Sequence, residues 1–193
     1  MILKTDYRDF YDIWLSLDGK PPVWWRRTTD GPDRIEMFAL LKAMGLSTPL
    51  INPKTGPCVV HRNIKAHCGE GKQLESGPAP QGNLAFNVEY VGDFPGESWR
   101  YLYLAGEVFW IKYSSTESWM SNVGDGNVEV LGRIPEVEIP NILRSPVWAV
   151  DFVRCLRRGL LAVDLNVAPG CWPVRHLVSG ESIGRQVAGL LGR

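Results

Sequence analysis

Two carboxylates and an amide stand inside strongly apolar runs in the last third of this chain, and that placement limits the fold more than any other feature. Ala149-Val150-Asp151-Phe152-Val153 sets one acid in the middle of a hydrophobic run. Leu160-Leu161-Ala162-Val163-Asp164-Leu165-Asn166 repeats the pattern. Both runs read as strands, over Trp148 to Val153 and Leu160 to Leu165, and the basic Arg157-Arg158-Gly159 turn makes them a hairpin. A carboxylate among Val and Leu is costly unless it is paired or holds a cation. Asp164 and Asn166 are two residues apart and leave one face of their strand; across the hairpin, Asp151 can join that face. Three oxygen donors suit a hard cation, and magnesium takes carboxylates together with phosphate oxygens. A single acid of this kind more often ends a strand or caps a turn. Three such residues in apolar strands favour the metal.

The rest of the chain supplies a frame for that hairpin. At 193 residues, 45% hydrophobic and 22% charged, it can bury the core of one compact domain. A helix is expected to enter at Thr29-Asp30-Gly31-Pro32-Asp33, to run on an apolar face of Ile35, Phe38, Leu41 and Met44, and to stop at Gly45. Cys58 to Arg62 reads as a strand leading into the Gly-bearing loop Ala66-His67-Cys68-Gly69-Glu70-Gly71. A Pro/Gly/Ser-rich stretch from Ser76 to Gly82 then separates two halves. Further strands are expected at Leu84 to Val91, Arg100 to Leu104 and Glu107 to Tyr113, the last two joined at Ala105-Gly106. An amphipathic helix from Gly180 to Leu191 completes an α+β class with mainly antiparallel sheet in the second half. An opening aromatic helix at Tyr7, Phe10, Tyr11 and Trp14 and a short strand at Val23 to Arg27 precede all of this.

Charge and cysteine usage exclude several classes. Lys+Arg and Asp+Glu balance at 21 each, so neither nucleic acid nor a membrane surface is the expected partner. No apolar run approaches the roughly 20 residues that span a bilayer, and the first residues do not form a signal peptide. Cys58, Cys68, Cys155 and Cys171 lack a C-x-x-C spacing, which points to four reduced thiols in a cytoplasmic protein rather than to zinc.

A second chemical feature is Val59-Val60-His61-Arg62 followed by Gly69-x-Gly71. A strand carrying a cation into a Gly loop can clamp phosphates, with backbone N–H groups and the Arg62 guanidinium as donors. Glycine pairs in loops are usually only turns, so this signal is weak by itself. His61 and His67 flank the loop, where hydrogen bonding to phosphate suits them better than a general-base role. Cys68 has no identifiable base beside it and reads as small-residue packing. Trp24-Trp25-Arg26-Arg27 invites a stacking role, but with no net charge a core or interface role is favoured.

Taken in order, these segments resemble the ATP-grasp superfamily, and within it the branch of ribosomal-protein glutamate ligases and their phage-encoded relatives. Val150-Asp151-Phe152-Val153 with Leu161-Ala162-Val163-Asp164-Leu165-Asn166-Val167-Ala168-Pro169-Gly170 resembles the family's metal hairpin. Cys58 to Lys72 resembles its cation-bearing strand and phosphate lid, and Phe86 to Val91 its adenine-facing linker strand. Glu97-Ser98-Trp99-Arg100, Leu104 to Val108 and Ser121-Asn122-Val123-Gly124 resemble the stretches beside the γ-phosphate. The resemblance implies two α+β subdomains clamping a nucleotide: 31–82 with the phosphate lid, 83–193 with the metal site, and 1–30 as a reduced N-terminal segment. It implies ATP bound by Arg34, Arg62, Gly69, Gly71, Glu89, Tyr90 and Val91. Magnesium would be held by Asp151, Asp164 and Asn166, and Arg100 and Asn122 would steady the transferring phosphoryl group. The implied activity is an ADP-forming carboxylate–amine ligase working through an acylphosphate on a small-molecule, peptide or protein acceptor. A noncatalytic ATP-binding module and a kinase-like phosphotransferase are the alternatives. A reduced N-terminal segment would suit a homodimer or a partner that completes the cleft.

Overall fold

The computed structural model describes residues 33–64, 71–80, 86–104, 106–121, 126–132, 139–140, 147–166, 169, 172–174 and 177. The helix α1 (Arg34–Ala43) starts on Asp33, whose carboxylate accepts the N–H groups of Ile35 and Glu36 while Glu36 accepts the Asp33 N–H. This capping box satisfies donors that a helix N-terminus leaves open. At the other end Gly45, at φ +76°, donates to the Lys42 carbonyl and Leu46 donates to the Leu41 carbonyl. That paired closure needs a left-handed residue, which glycine adopts without strain.

The face of α1 is the expected one at Phe38, Leu41 and Met44 but not at its start. Ile35 is 57% exposed, and the helix turns Arg34 and Met37 inward in its place. The stripe keeps helical spacing but begins on a charged residue, because Arg34 finds a carboxylate inside the fold.

Two antiparallel sheets follow. In the first, β1 (Cys58–His61) lies between β2 (Lys72–Glu75) and β3 (Phe86–Glu89). This sheet therefore takes strands from both sides of the Pro/Gly/Ser-rich stretch. The buried Asn87 amide fastens that stretch to β3, accepting the Ala79 N–H and donating to its carbonyl, both at 3.1 Å. The second sheet has the order β6-β5-β4-β7-β8, built from β4 (Glu97–Leu104), β5 (Glu107–Ser114), β6 (Asn127–Gly132), β7 (Val147–Cys155) and β8 (Gly159–Asn166). The strands expected within the described residues all form, with ends shifted by a few residues; the one expected at Val23 to Arg27 lies outside them. Two were not anticipated, β2 and β6, and both are polar edge strands without an apolar run to announce them.

The core joins α1 to both sheets. Met37, Phe38 and Leu41 pack with Phe86 and Val88 of the first sheet and with Val150, Phe152, Ala162 and Leu165 of the second. Trp148, fully buried, is stacked on Tyr101 and Tyr103 at centroid distances of 5.3 and 5.6 Å. Trp99, Trp110 and Trp148 are all core residues. The opening aromatic segment, Trp24-Trp25 and the 180–191 helix lie outside the described residues. Among those described, no helix is long and apolar enough to cross a membrane.

Candidate functional site

One register row crosses three neighbouring strands. Arg100 of β4 stands opposite Asp151 of β7, and Asp151 stands opposite Asp164 of β8. Residues opposite one another in antiparallel strands project from the same face, so the row is one continuous polar line. Arg100 donates through Nε and Nη2 to both Asp151 oxygens at 2.7 and 2.8 Å, a bidentate pair. The Tyr113 ring lies 5.2 Å from that guanidinium and holds it from the neighbouring strand.

The alignment of the two acids depends on a β-bulge. Cys155 pairs with Gly159, and the ladder continues evenly to Phe152 opposite Ala162. Continued without interruption, it would set Asp151 against Val163 and turn Asp164 to the other face. The register instead shifts between Asp151 and Phe152, which brings Asp164 opposite Asp151.

α1 and the first sheet complete the surroundings. Arg34, 4% exposed, donates from Nη1 to Asp164 Oδ1 at 2.8 Å. The capping box on Asp33 sets where α1 starts and so where this guanidinium arrives. His61 and Lys72 are opposite one another on β1 and β2, and both act electrostatically on Asp164. Burial alone would raise the Asp164 carboxyl, but Arg34, Lys72 and Arg100 more than offset it and hold the group below its ordinary value. His61 is 6% exposed, and burial, reinforced by Arg34 and Lys72, drives its imidazole down to about 3. It is neutral at any physiological pH.

The remaining expected residues are placed as follows. Asn166 is two residues beyond Asp164, at the Ala149 position of the ladder. Arg62 is exposed, donating to Gln73 and Glu75 at 3.1 Å each. Of this segment, His61 and Lys72 are the residues that act electrostatically on Asp164. Gly71, at φ +68°, closes the turn beside Arg62 and accepts its N–H. Glu89 accepts the Leu50 N–H and an Arg158 N–H at 2.9 and 2.7 Å. The backbone N–H groups of Glu89 and Tyr90 are given to the Leu50 and Pro57 carbonyls, and Val91 is half-buried just beyond. Gly69, Asn122, His67 and Cys68 lie outside the described residues. Cys58 and Cys155 are free thiols.

Sequence reasoning passed over Lys72 and Tyr113. Lys72 follows the last glycine of the loop, which is a signal, but only strand pairing sets it across from His61.

No family model and no curated protein matches this chain. Solved structures do. A Chryseobacterium gregarium RiPP-associated ATP-grasp ligase, in complex with ADP and a leader and core peptide, aligns with a TM-score of 0.50 at 14% identity, over 90% of this chain and 62% of that one. ATP-grasp ligase PsnB, complexed with a phosphomimetic variant of minimal precursor, Mg and ADP, gives 0.53 at 13% identity, over 82% and 58%. D-alanyl-alanine synthetase A from Vibrio cholerae gives 0.53 at 11% identity, over 83% and 65%.

The fold is that of the ATP-grasp ligases.

The chain spans between 58% and 65% of the length of those three structures. Within it, Asp151, Asp164 and Asn166 are the residues that could hold a hard divalent ion, and their chemistry fits one. All three offer oxygen, and each aspartate oxygen keeps lone pairs beyond its arginine contact. Among the described residues no group of three or more His, Cys, Asp or Glu converges, so the rest of such an ion's shell would come from phosphate and water.

Proposed function

We propose that this chain is an ATP- and magnesium-dependent carboxylate–amine ligase that forms an amide or peptide bond through an acylphosphate. The observation that carries the proposal is the Arg100–Asp151–Asp164 row, met by Arg34 across an ATP-grasp fold. Magnesium, when bound between Asp151, Asp164 and Asn166, would neutralise charge on the transferring phosphoryl group. Arg34 and Arg100 supply directed N–H donors to phosphate oxygens, and their fixed positions lower the cost of aligning donor and acceptor. Lys72 adds a third cation, and His61, being neutral, offers a hydrogen bond without a charge that varies with pH. Tyr113 holds Arg100 in place.

In the proposed reaction an acceptor carboxylate oxygen attacks the γ-phosphorus, the bond to the β-phosphate oxygen breaks, and ADP leaves. An amine then displaces phosphate from the acylphosphate carbon. A peptide acceptor is favoured, because similar structures were obtained with a leader and core peptide and with a variant of minimal precursor.

The test is mass spectrometry of the purified chain incubated with ATP, Mg2+, amino acids and acidic peptides, with ADP followed in parallel. The expected result is ADP formed together with a condensation product lighter than its two parts by one water. ADP with a stable phosphorylated product would instead establish the phosphotransferase alternative. ATP binding without turnover on any acceptor would leave the noncatalytic module as the function.

A further inference from the structure

We propose that the cleft between α1 and the start of β3 is a second ligand site, built for a small molecule that joins an apolar body to a carboxylate. It is separate from the Arg100–Asp151–Asp164 row, and it stands whether or not the chain is a ligase.

The cleft measures about 310 Å³, at the lower end of the roughly 300–1,000 Å³ of small-molecule sites. A macromolecular partner would need ~800 Å² of matching surface on each side, far more than this cleft offers. Its walls are apolar. Ile35, Phe38 and Ala39 come from α1, Phe86 from β3, and Ile51 from the chain that pairs with β3 at Val88. Phe38 and Phe86 are buried with their rings 5.7 Å apart, so that part of the wall is fixed by the core. Ile35, by contrast, is 57% exposed and leaves apolar surface for a ligand to cover.

Two polar groups select the ligand. Among the described residues that line the cleft, Lys42 is the only charged one, and no hydrogen bond or ion pair holds its ammonium. Asn52 is the other. At φ +49° it is the one non-glycine residue with a positive φ among those described, a conformation that asparagine tolerates. Its N–H donates to the Asn87 carbonyl at 2.8 Å, and its side-chain oxygen accepts the Asn87 N–H at 3.3 Å. That contact fixes which way the amide faces: the oxygen is used, and the NH2 group is left to donate. The cleft therefore presents one positive charge and one amide donor on an apolar wall. A carboxylate accepts from both, whereas a cation is repelled by Lys42. The apolar body fills the space between Ile35, Ile51 and the two phenylalanines.

The experiment titrates the full 15N-labelled chain with 3-phenylpropionate and, separately, with its neutral isostere 3-phenylpropionamide. The acid should bind with a dissociation constant on the order of 0.1–1 mM and shift the amide signals of Ile35, Ala39, Lys42 and Asn52, while the amide binds about tenfold more weakly or less. Lys42→Met should bring the acid down to the level of the amide, and Lys42→Arg should keep the preference. Ala39→Trp places a ring in the cleft from an exposed helix position, so it should abolish binding of both compounds while the melting temperature stays near that of the parent. Equal binding of acid and amide, shifts confined to other residues, no binding up to about 10 mM, or binding that survives Ala39→Trp would each overturn the inference. None of these readouts involves nucleotide turnover, so the ligase reading stands or falls separately.

Discussion

At the scale of single residues, the site is a set of mutually dependent charges. Arg34 is buried and its guanidinium donates to one Asp164 oxygen, so removing the acid takes a counter-charge from a buried cation. Asp164→Ala should therefore destabilise the fold toward the low end of the ~3–5 kcal/mol seen for broken buried pairs, since Asp164 is itself partly exposed. The double replacement Arg34→Met with Asp164→Leu should recover much of that loss in urea denaturation, yet neither protein should show the magnesium-dependent nucleotide turnover proposed above. His61 makes a separate prediction. Its folded value of about 3 lies below the unfolded 6.5, so above pH 6.5 both states are neutral and the group does not affect stability. Below that the unfolded chain takes up a proton that the native state refuses, so stability falls as the pH drops. The loss is ~2 kcal/mol by pH 5, at about 1.4 kcal/mol per unit. Denaturation midpoints measured from pH 7.5 to 5 should show this slope in the parent and a flatter one in His61→Gln.

Among the elements, backbone geometry at a few turns places the working side chains. Gly96 is buried at φ +72°, and a Cβ there would come within 2.6 Å of the Ser118 carbonyl oxygen. Its N–H donates to Trp119 and its carbonyl accepts from Ser115, tying the start of β4 to the segment that follows β5. Gly96→Ala should cost at least ~2 kcal/mol, because both the left-handed φ and the backbone contact oppose it. Gly159 has a similar φ of +71° in open space, so Gly159→Ala should cost only ~1 kcal/mol, the conformational part alone. Chemical denaturation with an unchanged m-value checks both. At α1, Asp33→Ala removes the capping box and should cost ~1 kcal/mol. The starting point of the helix, which sets where Arg34 meets Asp164, should loosen with it.

For the whole molecule, several links connect the part before Glu97 to the second sheet. Among them are the Arg34–Asp164 pair, the Ala162 N–H given to the Ser47 carbonyl, and the Glu89–Arg158 pair. They are unequal. Arg158 and Glu89 are both substantially solvent-accessible, and exposed ion pairs contribute ~0–1 kcal/mol. Arg158→Ala should shift the unfolding midpoint by less than ~1 kcal/mol, whereas loss of the Arg34–Asp164 link should cost several times more. Comparable losses in the two variants would show that burial does not distinguish these links as argued. The tertiary arrangement also explains the role of Glu89, whose carboxylate ties β3 to Leu50 and to the β7–β8 turn.

The amino-acid sequence by itself determined the elements with strong local signatures. The hairpin runs around Asp151 and Asp164 are too apolar to be anything but buried strands, and the turn at Gly159 joins them. The helix starting at Arg34 has its cap and its closing glycine written locally. Strands β2 and β6 were not legible, because a polar edge strand is defined by the partner that pairs with it. The inward turn of Arg34 and the placing of His61 opposite Lys72 were decided only in three dimensions. Each depends on which face of an element a distant segment covers. The bulge between Asp151 and Phe152 is the sharpest case. Residue spacing places each acid on a strand, but a one-residue slip moves a side chain to the opposite face. Only the folded hairpin, shifted by that bulge, puts the two carboxylates in one row under the arginines that neutralise them.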